Sequence, residues 1–320
     1  MILGAVLAVV ALLTSGCVTF AAPQSPPPTA PAVTPTPPGA ATEVSTEPAP
    51  TSCDATAALR PPDPMPEPAQ MPPGSTMAAI AARGRLIVGT DIGSSPFSFR
   101  DPLSGDLQGF DVDLAREVSR AIFGDPNRIE FRVLSSSDRI DALRSGSVDL
   151  VVKTMSITCD RAQSVSFSSP YYVASQRILV LRNSGITDVS GLADKRVCSA
   201  RGTTSIGRMQ AEQPRAKMIT TVTWADCLVM LQQGQVDAIT TDDAILAGLA
   251  QQDPWVQMVG PGLGTEDYGI GLPKGHDDMV RFVDGVLAAT EADGRWNEIY
   301  ARWLGDIGPG YGPPQVFYRD

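Results

Sequence analysis

Histidine occurs once in 320 residues, as His276. That scarcity removes most histidine-based acid–base catalysis and any histidine-rich metal site, and no metal or cofactor is expected. Basic residues are in the minority: 25 Lys and Arg stand against 35 Asp and Glu, a net charge of −10. No long basic run interrupts that balance. Phosphate binding draws on clustered Lys and Arg, so nucleic acid is not an expected partner. Long apolar runs are missing too. The run Ile2 to Leu13 has 12 residues, short of the roughly 20 that a bilayer-spanning helix requires.

That run has the length of a signal-peptide core. It ends at Leu13-Thr14-Ser15-Gly16-Cys17, which resembles a bacterial lipoprotein box, with Thr14 where an aliphatic residue is usual. The expectation is a signal peptide over residues 1–17, a lipid on Cys17 and attachment to the membrane. Export implies an oxidising compartment. There Cys53, Cys159, Cys198 and Cys227 allow three pairings. Cys198 and Cys227 lie 29 residues apart within one expected lobe, so the favoured pairs are Cys198–Cys227 and Cys53–Cys159.

Of the 28 prolines, 17 lie between Pro23 and Pro73. Such a segment buries too little apolar surface to offset its ordering entropy, and its prolines favour extended polyproline II. Residues 18–76 read as a tether, with Cys53 pinning its second half to a body that begins near Met77. From there strands and helices alternate. Strands are expected at Arg85–Thr90, Ile129–Leu134, Val148–Lys153, Ser175–Leu181, Arg196–Ala200, Lys217–Thr221, Val236–Thr240 and Tyr268–Leu272. Helices are expected at Val112–Ile122, Asp138–Ser145, Thr204–Glu212, Trp224–Gln232, Ala244–Gln251, Asp277–Ala292 and Arg295–Leu304. Strands separated by helices imply an α/β fold with parallel sheets.

An internal echo divides this body. Leu143-Arg144-Ser145-Gly146-Ser147-Val148-Asp149 matches Leu231-Gln232-Gln233-Gly234-Gln235-Val236-Asp237. Each reads as a helix end, a glycine cap and the start of a strand. Five residues beyond each aspartate stands a further polar group, Thr154 in one case and Asp242 in the other. Ligands of open α/β sheets bind outside the carboxyl ends of strands, so two lobes would form a cleft with one polar set on each wall. Lys153, Thr154, Ser156 and Arg161 suit a carboxylate, for which the guanidinium is a planar fork. Gly202-Thr203-Thr204-Ser205 offers hydroxyls and backbone N–H groups at a helix start. Asp243 reads as the N-cap of the next helix, leaving Asp242 free to point into the cleft. A cationic wall facing an anionic one describes a site for an α-amino acid.

GFDVDLAREVSRAI at 109–122, SSDRIDALRSGSVDLVV at 136–152, SITCDRAQSVSFSSPYY at 156–172 and WNEIYARWLGD at 296–306 resemble the polar amino-acid class of bacterial extracellular solute-binding proteins, family 3. VCSARGTTS, WADCLVMLQQGQVDAITTDDAILAG and YGIGLPKG are similar to actinobacterial glutamate/glutamine-binding lipoproteins of the GlnH type. The resemblance implies a two-lobe type II periplasmic-binding-protein fold with the ligand in the inter-lobe cleft. Hinge strands are implied near Tyr171–Gln176 and Thr265–Gly269. Lobe 1 then comprises 77–175 and 265–305, lobe 2 comprises 176–264, and 306–320 is a tail. By the same resemblance Arg161, Ser156, Thr203 and Thr204 take the α-carboxylate, while Asp242 and Thr154 take the ammonium. Asp91 faces the cleft as in amide-binding relatives, and Arg139 meets a side-chain carboxylate. Lys153 stands where relatives often have a small residue; it adds to Arg139 or neutralises Asp91. Phe97 and Phe99 are candidates for the cleft walls, with core packing expected for at least one of them, and Trp224 is a candidate for the core. The resemblance further implies a monomer on the outer face of the cytoplasmic membrane, in an actinobacterial envelope. It would bind glutamate, aspartate, glutamine or asparagine and serve an ABC permease or a membrane sensor. The rival reading is an enzyme on the same fold, akin to a cyclohexadienyl or arogenate dehydratase.

Overall fold

The computed structural model describes residues 35–42, 53–307 and 312–320. The expected signal peptide, lipidated Cys17 and first part of the tether lie outside the described residues. Within Thr36–Asp320, the strands and helices form two α/β halves joined by two long strands.

The two-residue strand β1 (Ala41–Thr42) lies antiparallel against residues 219–220 of the second half, and the first half opens with helix α1 (Thr76–Arg83) and strand β2 (Leu86–Thr90). A small antiparallel sheet follows, built from β3 (Gly93–Ser94), β4 (Ser98–Arg100) and β5 (Leu107–Gln108). Helix α2 (Phe110–Phe123) then buries Val112, Leu114, Ala115, Val118 and Ile122. Those positions are spaced at the helical period, so one face meets the core. Its N-cap, Gly109, sits at φ 130 with no room for a side chain: an added Cβ would lie 2.1 Å from the Phe97 carbonyl oxygen. Next come β6 (Ile129–Val133), α3 (Arg139–Arg144), β7 (Leu150–Val151) and α4 (Cys159–Ser164). Strand β2 pairs in parallel with both β6 and β7, the pattern expected where helices cross between strands.

Strand β8 (Ser166–Leu181) has 16 residues and runs on into the second half. That half contains β9 (Arg196–Ala200), α5 (Thr204–Glu212), β10 (Lys217–Thr221), α6 (Trp224–Gln232), β11 (Ala238–Asp242), α7 (Asp243–Gln252) and β12 (Val256–Val259). Strand β9 pairs in parallel with β10 and β11, and β8 pairs antiparallel with β11. Strand β13 (Thr265–Leu272) then returns to the first half, antiparallel to β8 from Thr265↔Ser175 to Leu272↔Ser166. Helices α8 (Asp277–Ala292) and α9 (Arg295–Trp303) complete the first half. Both expected hinge segments thus lie on the two strands shared by the halves. The sequence pattern catches only the last part of β8, because Ser166–Pro170 carries three serines and a proline that read as loop.

Two segments depart from expectation. The Pro-rich stretch after Cys53 packs on the body. Ala58 and Leu59 are buried, and Met65 and Met71 rest against the main core. The Asp284 carboxylate accepts from the Leu59 and Ser169 backbone N–H groups, at 3.2 and 2.6 Å. The C-terminal residues return to this stretch: Ala58 N–H donates to Phe317 and Arg319 N–H donates to Ala58. Four apolar anchors hold a segment whose composition argues for disorder. Both expected disulfides are formed, Cys53–Cys159 and Cys198–Cys227, with Cα atoms 5.8 and 5.6 Å apart.

Candidate functional site

The carboxyl ends of β7, β9 and β11 converge on one narrow cleft, closed down to a cavity of about 10 Å³. Seven of the nine expected ligand residues line it: Arg139, Thr154, Ser156, Arg161, Thr203, Thr204 and Asp242. Asp91 and Lys153 lie behind it, joined to each other. His276 is elsewhere, beside Thr76 at the N-terminus of α8.

The wall from the first half is a frame of satisfied groups. Lys153 Nζ is 2.8 Å from Asp91 Oδ2 and donates also to Ser136 Oγ at 3.2 Å, with its side chain fully buried. Asp91 accepts further from Ile92 N, Gly93 N and Ser94 Oγ. Burial opposes its ionisation, but Lys153 and these donors hold the carboxyl below its usual range. Arg139 gives four of its five N–H donors to backbone carbonyls: Ser136, Lys153, Thr154 and Gly202, at 2.8–3.3 Å. Burial and the neighbouring Arg161 pull its pKa down to about 9. Thr154 adopts φ 39, a left-handed conformation that a β-branched residue rarely takes. Asp111 holds it there, its Oδ2 accepting from Thr154 N at 2.8 Å and its Oδ1 from Tyr171 Oη at 2.9 Å. Arg161 is placed by the first turn of α4, where Thr158 Oγ1 accepts from Arg161 N; its guanidinium donates to Ser156 O at 2.7 Å and Gly202 O at 3.2 Å.

The facing wall carries hydroxyls and acids. Gly202, at φ 76, approaches so closely that an added Cβ would lie 2.6 Å from Ser137 Cα. Its carbonyl thereby receives both guanidinium groups from across the cleft. Thr203 Oγ1 turns back to Ala200 O at 2.7 Å, whereas Thr204 Oγ1 donates to Glu266 at 2.5 Å. Asp242 ends β11 and is buried. Its Oδ2 accepts from the Tyr268 hydroxyl, and its Oδ1 has no hydrogen-bond partner among the described residues. Burial pushes its pKa up to about 7; Glu266 and Asp243 add to that, while Tyr268 and Arg161 oppose it.

The expected role of Asp243 needs correcting. Helix α7 begins at Asp243, and Asp242 occupies the N-cap position without a side-chain cap bond. The Asp243 carboxylate instead accepts from Ala244 N at 2.9 Å and from Ser175 N on β8 at 3.3 Å. The pairing of β11 with β8 carries the strand two residues beyond Thr240, where its apolar pattern ends. Phe97 belongs to the core, edge-on to Phe110, Tyr172 and Tyr268, and Phe99 packs on Trp303. Trp224 is buried and also lines the cleft.

The reading from sequence missed Asp111 and Glu266. Asp111 follows Gly109-Phe110 at the start of α2, where an acidic residue reads as dipole compensation. Glu266 had a usable signal. In a strand of period two it shares a face with Tyr268, so burying the tyrosine buries the glutamate.

A cleft between two α/β halves, joined by two strands and lined by cations on one side and an acid on the other, defines a solute-binding protein. The chain belongs to the bacterial extracellular solute-binding proteins, family 3, which it matches over residues 86–306. It is 34% identical over 230 residues to the ABC transporter glutamine-binding protein GlnH of Bacillus subtilis, covering 72% of this chain and 84% of that one. It is 29% identical over 245 residues to the glutamate-binding protein GluB of Corynebacterium efficiens, covering 73% and 83%. Among solved structures, the solute receptor for L-cysteine of Neisseria gonorrhoeae superposes with a TM-score of 0.70 at 29% identity, covering 73% of this chain and 95% of that one. Membership of this family implies a place outside the cytoplasm.

Proposed function

We propose that this chain is a lipid-anchored receptor for a polar α-amino acid, which it binds by closing its lobes and presents to a membrane permease of the ABC type. The observation that carries this reading is the buried Oδ1 of Asp242, without a hydrogen-bond partner among the described residues, in the same cleft as the Arg161 guanidinium and the Ser156 and Thr204 hydroxyls. A buried carboxylate oxygen without a donor is costly, and an ammonium group supplies the missing partner. The zwitterion places its ammonium on Asp242 and its α-carboxylate toward Arg161. Because the two sets come from different lobes, the ligand favours the closed arrangement over the open one. The side chain belongs to the glutamate, glutamine, aspartate and asparagine group. Arg139 keeps one N–H for it, enough for an oxygen of either an acid or an amide. Titration calorimetry over the twenty amino acids tests the assignment. Binding confined to that group, and lost in Arg161→Ala and Asp242→Ala, supports it; unchanged affinity in both variants overturns it. Turnover of prephenate or arogenate by the purified chain would favour the enzyme instead.

A further inference from the structure

Glu266 lies on β13, one of the two strands common to both lobes, and is buried. Its Oε2 accepts from the hydroxyls of Ser156 and Thr204. Those two residues come from opposite walls, with their hydroxyl oxygens 3.4 Å apart. Its Oε1 has no hydrogen-bond partner among the described residues and stands 3.6 Å from Arg208 Nε. One carboxylate oxygen thus bridges the lobes through the hydroxyl pair beside Arg161.

We propose that Glu266 is an affinity-setting residue: an internal carboxylate that occupies the hydroxyl pair a ligand's α-carboxylate requires, and that yields it by turning toward Arg208. The inference rests on the amino-acid reading of the cleft given above. Each hydroxyl has a single hydrogen to donate, and both hydrogens are committed to Glu266. A second carboxylate entering the same place also meets a like charge in a buried site. Binding is therefore an exchange. The two O–H donors pass from Glu266 to the ligand, and Glu266 closes the 3.6 Å gap to the Arg208 guanidinium. Arg208 is suited to receive it, since its Nε has no hydrogen-bond partner among the described residues while its Nη1 is anchored on Leu263 O at 3.3 Å. Two consequences follow with opposite signs. Removing the internal charge strengthens binding, the reverse of what truncating a ligand contact does. Removing Arg208, which does not line the cleft, weakens binding because the displaced carboxylate loses its destination.

The test uses the full chain and the amino acid that binds most tightly among the twenty, titrated calorimetrically beside its own α-amide. Glu266→Gln is expected to bind the amino acid roughly 10- to 150-fold more tightly, on the scale of one charge-assisted hydrogen bond. The α-amide, which lacks the competing carboxylate, is expected to change less than about threefold on the same scale. Arg208→Met is expected to weaken the amino acid about fivefold or more, and Glu266→Gln in the Arg208→Met background to restore it. Glu266→Asp, whose shorter side chain retreats from the hydroxyls, tightens binding as well and serves if Glu266→Gln does not fold. Equal or weaker binding in the Glu266 variants, or the same gain for acid and α-amide, overturns the proposal and leaves the amino-acid reading standing. A native chain that binds none of the twenty overturns both.

Discussion

Asp149 in the first lobe and Asp237 in the second make the same clamp. Asp149 donates its N–H to Ile87 O at 2.8 Å and accepts from Ile87 N at 2.7 Å through its carboxylate. Asp237 does the same to Arg196, with both bonds at 2.8 Å. Each clamp fixes the register between two parallel strands at the start of a wall, and each is followed five residues on by a cleft residue. There the lobes part. In the first lobe Lys153 is spent on Asp91, Arg139 on four carbonyls and Asp111 on Thr154 and Tyr171. In the second, Asp242 keeps an oxygen without a donor among the described residues. The same supersecondary unit is thus used once as a rigid frame and once as a receptive wall. Substitutions at the paired first-lobe groups Asp91, Lys153 and Asp111 should chiefly move stability, and those at Asp242 chiefly affinity.

The largest expected effect tests the frame. Asp91→Asn leaves the Lys153 ammonium buried without its counter-ion, at a cost of ~3–5 kcal/mol, seen as a melting point lower by roughly 10 °C. Asp91→Asn with Lys153→Met should recover most of it. A normal melting point with abolished binding would show that this pair is a ligand contact. The opposite wall behaves in the opposite sense. Asp242→Ala should weaken the amino acid by ~2–5 kcal/mol, roughly 30-fold to several thousand-fold. Thermal stability without ligand should hold or rise, because an unsatisfied buried carboxylate has been removed. Calorimetry and melting curves on one preparation read both quantities.

How far the sequence carries this comparison depends on what each residue competes with. Apart from β12, which was not expected, the strands and helices of the second lobe could be read to within two residues, because β-branched strands alternate there with amphipathic helices closed by Gly234 and opened by Thr223 with Asp226. The cleft residues were legible as a set because strand ends deliver them. What could not be read is how each donor is spent. Arg139 and Arg161 look alike as residue types, and the Gly202 carbonyl that receives both lies 63 and 41 residues away in the chain. Long-range hydrogen bonds of that kind leave no local pattern. The packed Pro-rich segment was missed for a related reason, since Leu59, Met65 and Met71 are too sparse to form a period and gain their burial from the main core.

Acidification separates the walls next. The Asp242 carboxyl, pushed up to about 7 by burial and by Glu266, becomes neutral as pH falls through that value and loses its charge attraction for an ammonium group. If the bound form stays ionised, affinity should fall roughly 25-fold between pH 7.5 and pH 5.5, and Asp242→Asn should flatten the profile. Stability without ligand carries the reverse sign. A folded-state pKa raised above the ordinary 3.8 means that this group's contribution is fully present below 3.8 and is lost as pH rises through about 7. Affinity and stability should therefore diverge across the same interval. A pH-independent affinity would remove Asp242 as the ammonium's partner.

The smallest effect concerns selectivity between an acid and its amide. Two cations in the first lobe point by residue type to a side-chain carboxylate, and on that count glutamate should far outbind glutamine. The geometry argues otherwise. Lys153 is neutralised by Asp91 and lies behind the cleft. Arg139 cannot offer the two parallel N–H groups that recognise a carboxylate, because four of its five donors already serve carbonyls. A single N–H accepts a carboxylate oxygen or an amide oxygen with little preference, so the two members of an acid–amide pair should differ by less than about tenfold, the span of one hydrogen bond. Competition calorimetry of glutamate against glutamine, and of aspartate against asparagine, measures the ratio. A hundredfold preference for the acids would mean that Arg139 leaves its carbonyls when ligand enters, and the first lobe would then be as receptive as the second.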